Sequence, residues 1–271
     1  MRFLAVGDAG DGSLGQRAVA AAMGDVCAAQ GCDFVLFLGD NFYPIGVSST
    51  TDPQWTTKFE SVYTDPSLAI PFYAVLGNHD YGLSYTLSRA QAQVDYTAVS
   101  SRWEMADLYW SATIGDALFL GLDTEAWANE DGADQQPWAD SELAGTTATW
   151  RFALGHHPYL SNGPHGDAGE WDGRTGEGES FRDFFDASLC GSIDAYFFGH
   201  DHLLQWIDAP CGVAQLGSGS GARTYSSIGS HTTRFEAVVE GFVWVEIDGL
   251  TLTTVWYDDT ATELYRDTIT K

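Results

Sequence analysis

The sequence predicts an α/β fold with polar residues gathered at the ends of its strands, and two observations support this. Five short apolar runs are each followed by a glycine and then by a residue that can bind a metal ion. Segments with helical patterns separate these runs, and such alternation is typical of α/β proteins. Ligands bind at the carboxyl ends of strands in open α/β sheets, so the five polar positions are predicted to converge.

The five runs are predicted to be strands because each is short, apolar and ended by glycine. The second run, 35–38, has no polar residue, which indicates a strand buried on both faces. In order, the runs and the residues after their glycines are 3–6 before Asp8, 35–38 before Asp40, 72–76 before Asn78, 152–154 before His156 and 196–198 before His200.

Four segments between the strands are predicted to be helical. Segment 16–29 is rich in alanine, and 180–189 is amphipathic. Segments 52–63 and 84–99 complete the set. These helices supply the second element type that the α/β assignment requires.

Two segments are predicted to be loops, and the end of the chain is predicted to be all strand. Segment 125–137 is acidic and short of apolar residues, and 161–179 holds six glycines, which suits either a lid or a solvated surface loop. After Gly212, runs at 213–216, 234–240, 242–247 and 251–257 read as antiparallel strands, with a hairpin turn at Asp248–Gly249. No linker divides the chain. We therefore predict one domain over 1–271, with 212–271 as its terminal antiparallel strands.

The charge balance is strongly acidic. Twelve basic residues against 38 acidic ones leave a formal charge of −26. Binding of duplex nucleic acid relies on Lys and Arg that neutralise phosphates, so it is not expected. The acidity is consistent with solubility, and cation sequestration is the alternative. No run approaches the roughly 18 apolar residues that a membrane-spanning helix requires.

The four cysteines are even in number, and none lies in a CxxC pair or a zinc-finger spacing. Pairing of Cys27 with Cys32 and of Cys190 with Cys211 is favoured, with buried free thiols as the alternative. Disulfides predict an oxidising compartment. The expected location is therefore secreted or periplasmic, with an export signal that is absent from this chain.

A glycine pattern near the amino terminus resembles a dinucleotide fingerprint. Gly10, Gly12 and Gly15 spell G-x-G-x-x-G after a strand and before a helix, as that motif requires. However, Asp8 and Asp11 place two carboxylates where a pyrophosphate would lie. The dinucleotide interpretation also leaves the histidines unexplained, so it is disfavoured.

A metal site explains more of the polar residues. His200 and His202 are separated by one residue, so on a turn they can reach two adjacent metal ions. The full set of candidate ligands is too large for one tetrahedral ion and suits two ions that share a bridging ligand. The candidates are Asp8, Asp40, Tyr43, Asn78, His156, His200 and His202.

Five motifs in chain order, G-D-x-G, G-D-N-F-Y, G-N-H-D, G-H-H-P and G-H-D-H, resemble those of the metallophosphoesterases. The wider superfamily usually opens with D-x-H, but Gly10 stands in place of that histidine. Tyr43 follows Asp40 by three residues, as in the small, tartrate-resistant purple acid phosphatases. The resemblance implies a four-layer α/β/β/α sandwich of two mixed sheets flanked by helices.

The resemblance also implies how the ligands divide. Asp8, Tyr43 and His202 would bind one metal ion. Asn78, His156 and His200 would bind the other, and Asp40 would bridge the two. The first set is rich in anionic oxygen and favours Fe(III), whereas the second suits a divalent ion such as Fe, Zn or Mn.

The expected reaction is hydrolysis of a phosphate monoester by a hydroxide activated between the two ions. His79 and His165 match positions that lie next to the substrate in this family, so either could protonate the leaving oxygen, and Asp80 could orient His79. His157 departs from the mammalian-type motif, which has tyrosine. Expected partners are small phosphorylated substrates and inorganic phosphate, with the protein as a monomer. The alternatives are a phosphodiesterase or nucleotide hydrolase on the same site, or a non-catalytic protein that binds phosphate or metal.

Overall fold

The structure, a computed structural model, describes residues 1–82, 84–129, 132–209 and 211–271. In these residues fourteen strands form two sheets of seven. The strands are β1 (Arg2–Val6), β2 (Phe34–Leu38), β3 (Phe72–Val75), β4 (Trp103–Glu104), β5 (Trp110–Ile114), β6 (Ala117–Gly121), β7 (Trp150–Leu154), β8 (Ala195–Phe198), β9 (Leu204–Asp208), β10 (Ala214–Ser218), β11 (Thr233–Ala237), β12 (Gly241–Asp248), β13 (Thr251–Asp258) and β14 (Glu263–Thr270).

The helices lie between these strands, and several are only one or two turns long. They are α1 (Leu14–Gln30), α2 (Asn78–Tyr81), α3 (Leu87–Tyr96), α4 (Thr124–Ala128), α5 (Gln135–Gly145) and α6 (Glu179–Phe184). Wider π-helical turns cover Trp55–Glu60 and Phe185–Leu189, and tighter 3₁₀ turns cover Pro66–Leu68 and Trp171–Gly173.

Both sheets are mixed. The first has the order β14-β13-β12-β1-β2-β3-β4, in which β1 to β4 are parallel and β12 to β14 are antiparallel. The second has the order β11-β9-β10-β8-β7-β6-β5, in which β6, β7, β8 and β10 are parallel. The parallel strands at the centre of each sheet bring their carboxyl ends to one edge.

The two sheets pack face to face through aromatic side chains. The Phe3 ring of the first sheet lies 5.6 Å from Phe119 and 5.8 Å from Phe197 of the second, measured between centroids. Side chains alternate along β6, so Leu118 and Leu120 point to the opposite face and join a second core with α4, α5 and α6. Helix α1 packs on the first sheet. The layers are therefore α/β/β/α, which confirms the predicted fold class.

The strands that end in ligand-type residues are confirmed, and three helix predictions hold with shifted bounds. Segment 16–29 lies in α1, 84–99 contains α3, and 180–189 spans most of α6 and the π-helical turn after it. In 52–63 the helical part is only the π-helical turn. Five strands were missed, namely β4, β5, β6, β9 and β14, although the ALFLG run of β6 is fully buried.

Two predictions were wrong. Segment 125–137 is not a loop throughout, because the Asp123 carboxylate caps α4 by accepting from the Ala126 amide, and α5 begins at Gln135. Residues 130 and 131 of that prediction lie outside the described residues. The strands after Gly212 do not form one antiparallel sheet: β10 pairs in parallel with β8, whereas β12 to β14 extend the first sheet.

Both predicted disulfides are present, Cys27–Cys32 and Cys190–Cys211. The first ties the end of α1 to the chain that enters β2, and the second links the end of the turn after α6 to the segment before β10. Within the described part of the chain, no helix has the length and apolar character to span a membrane.

Candidate metal centre

The predicted ligands follow the parallel strands of both sheets and meet where the two sheets face each other. Asp8 follows β1, Asp40 follows β2, Asn78 opens α2 after β3, His156 follows β7 and His200 follows β8. Three of these residues have left-handed backbone conformations, which turn the chain sharply after the strand. Their φ angles are 57° for Asp8, 52° for Asp40 and 66° for His200.

Asp8, Tyr43 and His202 form one cluster of donor atoms. The Tyr43 hydroxyl donates to Oδ1 of Asp8 at 2.8 Å and lies 3.2 Å from Nε2 of His202. The His202 Nε2 atom is 3.2 Å from the same Asp8 oxygen. All three side chains are buried. The structure thus brings together the three residues that the family resemblance assigns to one metal ion.

Asn78, His156 and His200 form a second cluster. Nε2 of His156 lies 3.1 Å from Oδ1 of Asn78 and 3.1 Å from Nδ1 of His200. Nδ1 of His156 is 2.9 Å from the Leu38 carbonyl oxygen. Because a carbonyl only accepts, Nδ1 carries the hydrogen and Nε2 presents its lone pair to the cluster. This is the tautomer that a metal ligand requires.

Asp40 lies between the two clusters. Its Oδ1 atom is 3.5 Å from Nε2 of His156, and single ligand atoms of Asp8, Asp40 and His156 all lie within 4.8 Å of one another. The same Asp40 oxygen accepts a hydrogen bond from the His79 amide at 2.9 Å, which fixes the orientation of the carboxylate. The arrangement suits a bridging ligand.

The electrostatics of the site also fit bound cations. Asp8 and Asp40 are buried, and among the described residues their ion-pair partners are histidines rather than lysine or arginine. Burial by itself raises the pKa of Asp8, but His202 and His156 outweigh it and lower that pKa to about 2. Burial, followed by the charges of Asp40 and Asp8, raises the pKa of Tyr43 well above its usual value. Buried carboxylates without a permanent cation are costly, and metal ions offset that cost.

Of the two predicted proton donors, His79 lies beside Tyr43 of the first cluster and His165 lies beside His200 of the second. His79 Nδ1 is 2.8 Å from the Pro44 carbonyl oxygen, and its ring lies 4.4 Å from that of Tyr43. His165 Nδ1 is 2.5 Å from Oδ1 of Asp172, and its ring lies 4.2 Å from that of His200. Burial lowers the pKa of His165, but the bond to Asp172 and nearby carboxylates outweigh it and raise that pKa. Both histidines are part-exposed.

The prediction that Asp80 orients His79 was wrong, because the Pro44 carbonyl occupies that place. Asp80 is fully buried and points back into the turn that carries Asn41. Its carboxylate accepts from the backbone amides of Gly77, Asn41 and Phe42 and from the side chains of Asn41 and Gln93. Asp80 therefore holds the Asn41 turn, from which Tyr43 reaches Asp8 and His202.

Two side chains that lie near the site were not identified from the sequence. Asp172 lies in the glycine-rich segment 161–179 with φ of 56°, and its Oδ1 atom is 3.7 Å from Nε2 of His200 as well as bonded to His165. Arg223 places its guanidinium 4.8 Å from the Tyr43 ring centroid and pairs with Asp11 at 3.0 Å. Neither lies in a recognisable motif. The position of Asp172 inside the glycine-rich segment 161–179 is the one local signal that could have pointed to it.

Comparison with known proteins identifies the family. The model of the calcineurin-like phosphoesterases matches residues 1–204. Purple acid phosphatase 3 of Arabidopsis thaliana is 30% identical over 94% of this chain and 74% of its own length. Tartrate-resistant acid phosphatase type 5 of Mus musculus is 28% identical over 99% of this chain and 90% of its own.

Solved structures show the same fold. A Plasmodium protein described as GAP50, the anchor in the inner membrane complex, superposes with a TM-score of 0.81 at 20% identity, covering 100% of this chain and 88% of that one. The purple acid phosphatase PPD1 from yellow lupin seeds superposes with a TM-score of 0.76 at 18% identity, covering 100% of this chain and 53% of that one. The family model and the sequence relatives show that the chain belongs to the calcineurin-like phosphoesterase family and, within it, to the purple acid phosphatases.

Proposed function

We propose that this protein is an acid phosphatase that hydrolyses phosphate monoesters at a centre of two metal ions. One observation carries the proposal: seven donor side chains divide into two clusters of three, with the Asp40 carboxylate between them. Two adjacent ligand clusters with a shared carboxylate are the arrangement of two-metal hydrolases. The names of the sequence relatives support the same reaction.

The two clusters differ in chemistry, and this supports a mixed pair of ions. The Asp8 carboxylate and the Tyr43 phenol are hard oxygen donors that suit Fe(III), whereas the two imidazoles and the Asn78 amide suit a divalent ion such as Fe, Zn or Mn. When bound, such a pair supplies hydroxide at neutral pH and positive charge near the transferring phosphoryl group. The substrate anion would thereby be attracted despite the acidic surface, whose charges are screened beyond about 8 Å at physiological salt.

We assign the proton for the leaving oxygen to His79 or His165. The Pro44 carbonyl and the Asp172 carboxylate hold the Nδ1 atoms of these two histidines. Because both partners accept, each Nδ1 carries a hydrogen and each Nε2 is left to hold or release the transferred proton. His79 also lines the cavity beside Asn78, where the alcohol half of a substrate has room.

The setting of the enzyme is part of the proposal. Two disulfides favour an oxidising compartment, so we place the protein outside the cytoplasm, as a secreted or periplasmic enzyme. Its partners would be small phosphorylated molecules and the inorganic phosphate that they release. We expect the protein to act as a monomer, which sedimentation of the purified chain would test.

The test is to measure metal content, visible spectrum and turnover on one preparation. We expect two ions per chain, one of them iron, a phenolate-to-iron absorption band, and faster hydrolysis of a chromogenic monoester than of the matched bis-ester. Faster turnover of the bis-ester would favour a phosphodiesterase. Tight binding of phosphate without turnover of any ester would reject the enzyme and favour a phosphate-binding protein.

A further inference from the structure

A cavity of about 270 Å³ opens next to the second ligand cluster. Asn78 and His79 are the cavity residues at the second ligand cluster, and much of the remaining wall comes from α4 and from the glycine-rich segment 161–179. If the phosphate of a monoester binds at the metal centre, the alcohol half has to occupy space of this kind. The side chains of the cavity wall therefore bear on which alcohol the enzyme accepts, an inference that rests on the proposed function.

The charged groups of this wall are mostly acidic. Arg174 is the one lysine or arginine among its described lining residues, and the wall also carries Glu125, Asp172 and Glu177. Arg174 Nη1 lies 3.1 Å and 3.2 Å from the two carboxylate oxygens of Glu177. Because this pair neutralises itself and His165 is bonded to Asp172, the carboxyl group of Glu125 is the main negative charge that a bound alcohol meets, and Asp172 adds acceptor oxygens.

Contacts with neighbouring side chains hold both carboxyl groups in place. Asp172 is held by His165 at 2.5 Å, and Glu125 accepts from Nδ2 of Asn129 at 2.9 Å. Glu125 also lies 3.6 Å from Nε2 of His157. His157 is the residue that replaces the tyrosine of the mammalian-type motif. A carboxylate has about four lone-pair sites, so each group keeps acceptor capacity for a ligand.

We propose that the preferred substrates are phosphate monoesters of amino alcohols, whose ammonium group is bound by Glu125 and Asp172, and that esters bearing a second anionic group are rejected. An ammonium group brings three donors and a positive charge to a wall of acceptors. A carboxylate or second phosphate in the same place would face like charge, with the available guanidinium already paired. The cavity has ample volume for a short alcohol, since a water molecule takes about 30 Å³ of liquid.

The first test uses phosphonates, which bind but are not hydrolysed. Dissociation constants of 3-aminopropylphosphonate, butylphosphonate and 3-phosphonopropionate are measured by calorimetry on the metal-loaded enzyme. These three compounds are matched in length. At the end away from the phosphonate they carry, in that order, a cation, no charge and an anion. Burial raises the pKa of Glu125 to about 7, so pH 8 keeps this carboxyl ionised. We expect the amino compound to bind on the order of tenfold more tightly than the carboxylate compound.

The second test measures kcat/KM for phosphoethanolamine, propyl phosphate and phosphoglycolate at pH 8, where the Glu125 carboxyl is again ionised. It uses two variants of equal net charge. Glu177→Gln frees Arg174 inside the cavity, so the preference for the amino ester should shrink severalfold. Glu179→Gln is the control, because Glu179 pairs with Arg182 outside this cavity. The control should keep the wild-type preference, and elemental analysis should show the same metal content in all three proteins.

The outcomes separate this inference from the proposed function. Equal binding and turnover of the three compounds, or a preference for the anionic one, would overturn the amino-alcohol assignment while leaving the phosphatase in place. If both variants lose the preference for the amino ester equally, the preference comes from the overall charge of the protein and not from the cavity. That result would also overturn the inference. Failure to hydrolyse these esters and a chromogenic monoester would instead count against the phosphatase itself.

Discussion

Replacement of Gly199 by alanine would test whether the ligand geometry is set by the close approach of the two sheets. Gly199 lies between β8 and His200, where the second sheet comes nearest to the first. A β-carbon added there would lie 2.6 Å from Oδ2 of Asp8, 2.8 Å from the Leu38 carbonyl oxygen and 3.3 Å from Nδ1 of His156. The substitution removes no ligand, so any effect on metal binding has to come from displacement.

The size of that displacement follows from the distances. Ordinary van der Waals contact begins near 3.4 Å, so the Asp8 and Leu38 oxygens are about 0.8 Å and 0.6 Å too close to the new methyl group. The Leu38 oxygen belongs to the backbone of β2 and cannot swing away. Metal-ligand distances are held to about 0.2 Å, which these shifts exceed. Overpacking of this kind also costs about 1–3 kcal/mol of unfolding free energy.

The assay combines elemental analysis with urea unfolding of the metal-free and metal-loaded proteins. We expect Gly199→Ala to fold, to lose about 1–3 kcal/mol of stability without metal, and to bind fewer than two ions per chain. Gly145→Ala is the matched control, because a β-carbon at the end of α5 meets no atom within 4 Å. An alanine variant at Gly199 that binds both ions with wild-type affinity would refute the reasoning.

Four further predictions concern single parts of the molecule. Tyr43→Phe should abolish the visible phenolate band, and a band that survives would reject Tyr43 as a ligand. His200→Ala should reduce metal content to about one ion per chain, whereas His231→Ala should not, because His231 pairs with Asp167 outside both clusters. His79→Ala and His165→Ala should leave metal content intact. The variant that lacks the proton donor should hydrolyse alkyl phosphates about 10²–10⁴ times more slowly and nitrophenyl phosphate far less so. Equal losses for both esters would contradict an acid role. Replacing the Cys190–Cys211 pair by alanines should lower the free energy of urea unfolding by about 3 kcal/mol, and replacing the Cys27–Cys32 pair should lower it by about 2 kcal/mol. The difference is expected because the closed loops span 21 and 5 residues. A larger loss from the shorter loop would contradict the loop-entropy argument.

The strands and the meeting of the candidate ligands could be predicted from the sequence because the same short signal marks both. Each central strand is an apolar run that ends in glycine, and the next residue is a ligand type. Gly199 explains why glycine recurs: the chain there packs against the backbone of the other sheet and against Asp8. Local sequence therefore carried long-range information, since residues almost 200 positions apart meet at these ends.

Other features depend on contacts that leave no local pattern. Asp80 follows His79 in sequence, but in the one-turn helix α2 the two side chains point in different directions, into the core and toward solvent. Adjacent position therefore suggested a contact that the helix geometry prevents. Asp172 reaches His165 and His200 only because the segment 161–179 folds back over the site. Segment 125–137 was misjudged because the cap at Asp123 and the buried Trp127 outweigh its acidic composition.

The left-handed backbone at Asp8, Asp40 and His200 links the fold to the metal centre. A residue with a side chain in this conformation costs roughly 1–2 kcal/mol, although Asp and His tolerate it better than most. Hydrogen bonds across the site involve all three residues: the His200 amide donates to Oδ2 of Asp8 at 2.8 Å, and the His79 amide donates to Asp40. The ligands thus hold each other in position before any ion binds. Bound cations would add to that stabilisation by neutralising the two buried carboxylates, so metal binding and the folding of these strand ends should be coupled.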